Sequence, residues 1–119
     1  KVKQYKNKAL QQLNLPRDKL IEYNKKLKEY RYIEGLNEVQ YGQYIRWIPL
    51  NISELSQLKL TKGGIVVDAR ILDETGIHLT CKNSMNRFFQ IKFDECMVFQ
   101  KLTPNEKVLL SVMDYLNNN

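Results

Sequence analysis

At 119 residues and 43% apolar content, the chain has the size of one domain and enough hydrophobic side chains to fill a core without metals or disulfides. No apolar run approaches the about eighteen residues of a membrane helix, and lysines stud the first thirty positions, so neither a membrane span nor a secretory leader is visible; the expectation is an intracellular, non-secreted protein. The net charge of +6 is lopsided: residues 1–32 hold ten Lys or Arg against three Asp or Glu, a net of +7, and the remainder nine against ten, a net of −1.

A cationic front on a nearly neutral body suits an acidic partner, whether nucleic acid, an anionic membrane or a negatively charged protein. The plainer alternative is that lysine solvates an exposed helical face. In "KVKQYKNKALQQLNLP", Val2, Tyr5, Ala9, Leu10 and Leu13 fall at three- and four-residue steps, the stripe of a short amphipathic helix that Pro16 ends. A second helix is predicted over Arg17 to Arg31, with Leu20, Tyr23, Leu27 and Tyr30 on one side and Lys19, Lys25, Lys26 and Lys28 outside. Glu22 stands one turn from Lys26, within reach of an ion pair.

Past the glycines Gly35 and Gly42 the apolar period changes from about 3.6 to 2. "QYIRWIPL" alternates as a strand with Ile45 and Trp47 on one face and Tyr44, Arg46 and Ile48 on the other. "IVVDARILD" reads as a second strand with Ile65, Val67, Ala69 and Ile71 on one face, joined by "DETG" to "IHLTCKN", where Ile77, Leu79 and Cys81 alternate with His78, Thr80 and Lys82. "RFFQIKF", with Phe89, Ile91 and Phe93 on one face, and "MVFQKL" complete five strands. "TPNE" is a helix start, because Thr103 can cap, Pro104 fits the first position and Glu106 can return a bond to the cap. The closing helix should bury Val108, Leu109, Val112, Met113 and Leu116 and end in a frayed asparagine tail.

The expected fold class is α+β: a small, five-stranded, strongly bent antiparallel barrel of Src-homology-3, Tudor or KOW type, with an N-terminal helical arm and a C-terminal helix. Residues 1–34 would form the basic arm and 35–119 the barrel with its closing helix. An oligonucleotide-binding barrel is disfavoured, because the "KNSMNR" turn leaves no room for the helix it usually carries.

Catalytic chemistry is sparse. His78 is the single histidine, the carboxylate pairs Asp73–Glu74 and Asp94–Glu95 fall in turns, and "KGG" at Lys62–Gly64 lacks the spacing of a phosphate loop. Cys81 and Cys96, fifteen positions apart, lack the short paired spacing of a metal site and are expected to be free thiols. No catalytic, cofactor-binding or metal-binding residue is assigned, and the chain is expected not to be an enzyme.

Two functional expectations remain. In the first the chain is a structural or protein-interaction module that meets neighbouring subunits through Tyr5, Leu10, Leu13, Tyr23, Tyr30, Tyr44 and Arg46, since two short helices joined at a proline must bury their stripes against something. In the second it binds nucleic acid generally, with Lys6, Lys8, Lys25, Lys26, Lys28 and Arg31 along the phosphates and Tyr41, Tyr44 and Phe88 available to stack on bases. The acidic residues of the body dilute any basic path across it, which favours the first.

Over residues 41–103 the segments "YGQYIRWI", "LTKGGIVVD", "IHLTCKN", "RFFQIKFDE" and "VFQKLT" resemble small, mostly uncharacterised barrel proteins of nucleocytoplasmic large DNA viruses. The resemblance implies a virion or assembly component such as a minor capsid protein, and it carries over no catalytic residues.

Overall fold

The structure, a computed structural model, describes residues 2–52, 58–72, 74 and 76–117. It is an α+β fold with three helices and a six-stranded antiparallel sheet. In chain order these are α1 (Val2–Gln11), α2 (Arg17–Lys26), β1 (Tyr30–Ile33), β2 (Tyr44–Pro49), β3 (Gly64–Leu72), β4 (Gly76–Lys82), β5 (Phe88–Lys92), β6 (Cys96–Lys101) and α3 (Pro104–Asn117). Single turns of 3₁₀ helix lie at Leu36–Glu38 and Phe93–Glu95.

The strands are ordered β1-β6-β2-β3-β4-β5, so the sheet is open and the expected closed five-stranded barrel is corrected on both counts. The additional strand is β1. Tyr23, Leu27 and Tyr30 fit helical spacing, yet α2 stops at Lys26, and residues 30–33 instead pair with Lys101 to Val98 of β6. Aromatic and β-branched side chains favour that pleated surface. The boundary expected at residue 34 therefore falls after a strand that is hydrogen-bonded into the sheet.

One face of the sheet is packed along all six strands, whereas the other is covered by the helices only at β1, β6 and β2, and Ile65, Val67 and Phe88 of β3 and β5 stay exposed. On the first face, Ile33, Ile45, Trp47, Val66, Leu79, Cys81, Ile91, Phe93 and Val98 form a continuous core contributed by all six strands and the 3₁₀ turn after β5. Residues from the two edge strands β1 and β5 share this cluster, so the sheet curls over its own side chains without closing. On the other face, Ile48, Met97 and Phe99 meet Ala9, Leu10, Tyr23 and Leu27 of the helical layer, with Leu58 from the connection before β3. The two cores use alternate residues of β6, as a period of two requires.

Alternation along β2, β4 and β5 follows the sequence pattern. Along β3 it does not: the register slips between Val66 and Asp68, so Val66 and Ala69 face the core while Ile65 and Val67 are exposed. A β-bulge places two residues opposite one and reverses the phase beyond it. The "KGG" turn is a close-approach element. Gly63 has φ +86°, and a Cβ there would lie 2.0 Å from the Ile45 carbonyl oxygen; one on Gly64 would lie 2.8 Å from that of Lys82. Asp73 and Thr75 of the "DETG" turn, Lys1, and the last two asparagines of the tail lie outside the described residues.

Cys81 and Cys96 are free, as expected. Burial pushes the Cys81 thiol up to about 12 and that of Cys96 to about 11, which keeps both protonated and unreactive at neutral pH.

Candidate interaction surface

The chemistry-bearing residues of α1 and α2 are largely consumed by the fold. Lys6 is 3% exposed, and its ammonium donates to the carbonyl oxygens of Leu27 at 2.5 Å, Lys28 at 3.4 Å and Tyr30 at 3.1 Å. These carbonyls lie just beyond the C-terminal end of α2, where a cation is favoured by the helix dipole. Desolvation, and secondarily the charge of Lys3, hold the Lys6 pKa below its usual value. Arg31 donates to Glu38 at 3.0 Å and to Glu106 at 3.2 Å. It thereby ties β1 to the 3₁₀ turn and to the start of α3. Lys6 is buried and is corrected from a candidate nucleic-acid contact to a structural cation, whereas Arg31 is half-buried and engaged by two carboxylates.

The other basic candidates stay outside. Lys8, Lys25 and Lys28 are exposed, and Lys26 pairs with Glu22 at 3.4 Å across one turn. A shallow groove of about 450 Å³ between α1 and α2 is lined by Lys3, Gln4, Lys6, Asn7, Asn24 and Lys28. Of the aromatic stacking candidates, Tyr41 and Phe88 are exposed, with the Lys82 ammonium 5.9 Å from the Phe88 ring centre.

Of the expected partner contacts, Leu10 and Tyr23 are buried in the helix–sheet core, the Tyr23 hydroxyl donating to the Leu58 carbonyl at 3.2 Å. Leu13 and Tyr30 are half-buried against the same cluster. Tyr44 and Arg46 pin the connection before β3, through the Tyr44 hydroxyl to Lys62 carbonyl bond at 2.7 Å and the Arg46 Nε to Thr61 carbonyl bond at 2.8 Å. Only Tyr5 of this set is open to solvent. The arm meets its own sheet, so Leu10 and Tyr23 are corrected from partner contacts to core residues.

The closing helix expected from Pro104 is present as α3, but its apolar stripe is not buried. Its start is as expected: the Glu106 amide donates to Thr103 Oγ1 at 3.1 Å, and the Thr103 amide to Glu106 Oε1 at 3.0 Å. Its orientation is reversed. Lys107 pairs with Glu29 at 3.1 Å, and Lys107, Leu110, Ser111 and Asp114 line a cleft of about 290 Å³ against α1 and the end of α2. The opposite side carries Val108, Leu109, Val112, Met113, Tyr115 and Leu116, each between 47% and 69% exposed, and α3 has no buried residue among those described. The stripe expected in the core is on the surface.

His78 sits half-buried on β4, in register with Arg70 on one side and Lys92 on the other. Among the described residues no cluster of His, Cys, Asp or Glu could hold a metal ion, and no helix is long and apolar enough to cross a membrane. No protein-family model matches the sequence, and comparisons with curated proteins and with solved structures gave no match.

Replacing Lys6 tests its structural assignment. Lys6→Met should lower stability by about 1–3 kcal/mol in urea unfolding, because the carbonyls of Leu27, Lys28 and Tyr30 lose the hydrogen bonds of a buried ammonium. Since the folded-state pKa is lowered, the folded chain releases this proton before the unfolded one, and the wild type should gain on the variant as pH rises towards 10.5. An unchanged unfolding midpoint would return Lys6 to the pool of surface cations.

Proposed function

We propose that the chain is a non-enzymatic structural or protein-interaction module whose docking element is α3. The observation that carries this reading is the contiguous apolar stripe on an anchored helix. Solvent-exposed apolar residues scattered singly need no explanation, but a patch of several on one face marks a contact site. The first turn of the helix is held to the body by Thr103, Glu106 and Arg31. The resemblance to large DNA virus proteins suggests a virion as the setting.

A second reading, general nucleic-acid binding, has its own support. Lys3 and Lys28 line the α1–α2 groove, Lys8 and Lys25 are exposed on the same helical layer, and none of the four makes an ion pair with another described residue. Such a cluster would bind phosphates without reading sequence.

A photo-crosslinking residue at Val112, in full chain expressed where it naturally assembles, should give a defined covalent adduct on illumination. The same residue at Lys101, on the sheet, should give none. Absence of any α3 adduct would refute the interaction reading. A fluorescence titration with single-stranded oligonucleotide measures the alternative: binding at low salt that is lost when Lys8, Lys25 and Lys28 are changed to Gln supports it, and no binding at low salt removes it.

A further inference from the structure

We infer that the occupant of the α3 stripe is a second copy of this chain, the two α3 helices packing antiparallel about a two-fold axis. The inference rests on α3 being a docking element, as proposed above, and names its partner.

Three features of the helix select this occupant. The first is charge. The charged side chains of α3 are Glu106, Lys107 and Asp114; Glu106 is bonded to Arg31, Lys107 to Glu29, and Asp114 lines the cleft against α1. The stripe is therefore free of charge and offers nothing by which a charged partner could be read, whereas an uncharged patch is complementary to itself, as a two-fold contact requires. A membrane surface fits less well, because helices that lie in the lipid interface carry a polar face rich in Lys and Arg. The polar side of α3 has one lysine against two acids.

The second is spacing and area. Leu109, Val112 and Leu116 recur at three and four residues and form the seam of a helix pair, with Val108 and Met113 beside it. At the observed exposures the stripe offers on the order of 600 Å² per copy, against about 800 Å² per partner in a standard interface. That area suffices for a dimer at the small end of the specific range and leaves little for a larger partner surface.

The third sets the direction. The body meets α3 through Glu29 and Arg31 at its first turns and lines its polar side as far as Asp114, so direction is set by the helices themselves. Antiparallel packing opposes the two helix dipoles, and parallel packing would align them.

Sedimentation equilibrium of the full chain, loaded from low micromolar to hundreds of micromolar, tests the inference. The wild type should move with concentration from 14.1 kDa towards twice that mass, and Leu109→Lys/Leu116→Lys should remain at 14.1 kDa with unchanged Trp47 fluorescence. Wild type that stays monomeric throughout overturns the inference even if the double variant does not fold. A dimer that survives the double substitution overturns it too, by placing the interface elsewhere. Monomeric wild type that pellets with phosphatidylglycerol vesicles, or a Val112 adduct with a different protein, sinks the second copy but keeps α3 as the docking element; failure of the docking reading itself would show as no adduct at all.

Discussion

The alternation of side chains along β6 is the constraint from which the rest of this structure follows. Met97 and Phe99 point to one side and Val98 to the other, so a strand in the middle of the chain's own packing must be covered twice. One cover is the curl of the sheet itself, which brings Ile33 and Ile91 into the same cluster as Val98. The other is the pair of N-terminal helices, with Leu10, Tyr23 and Leu27 closing over Phe99. Each fully buried side chain of this size contributes roughly 1.5–3 kcal/mol relative to exposure, which far exceeds what exposed lysine pairs on the same helices can add.

Once α1 and α2 are committed to that face, the lysine of α1 that faces inward must find partners within the fold, which explains why the Lys6 ammonium is held by three carbonyls. Arg31 of β1 is held by two carboxylates, its Nε remaining without a partner among the described residues. The closing helix adds no side chain to either core; it is held through Lys107 and Glu106 and leaves its hydrophobic residues exposed. Ile65, Val67, Ile71 and Phe88 of the outer strands are exposed as well, so the cover given by the helical layer ends at β2.

Local chemistry was readable in the sequence and non-local competition was not. Thr103 and Glu106 form their reciprocal cap because all the participants lie within four residues. Leu79 and Cys81 alternate into the core because a hairpin strand keeps one phase. By contrast, Tyr30 to Ile33 satisfy helical spacing and are decided only by pairing with β6 at the other end of the chain. The bulge at Val67 leaves no mark in a run of β-branched residues. The roles of Lys6 and Arg31 depend on carbonyls and carboxylates supplied by other elements. For α3, the periodicity located the apolar side correctly; whether that side is buried depends on non-local packing.

The account stands on the N-terminal helices being part of the same cooperative unit as the sheet. Amide hydrogen exchange of the full chain under increasing denaturant measures this directly. Amides of α1 and α2 should exchange with the same opening free energy and denaturant dependence as those of β6. Helical amides that exchange freely while β6 stays protected would show an independent arm and contradict the account.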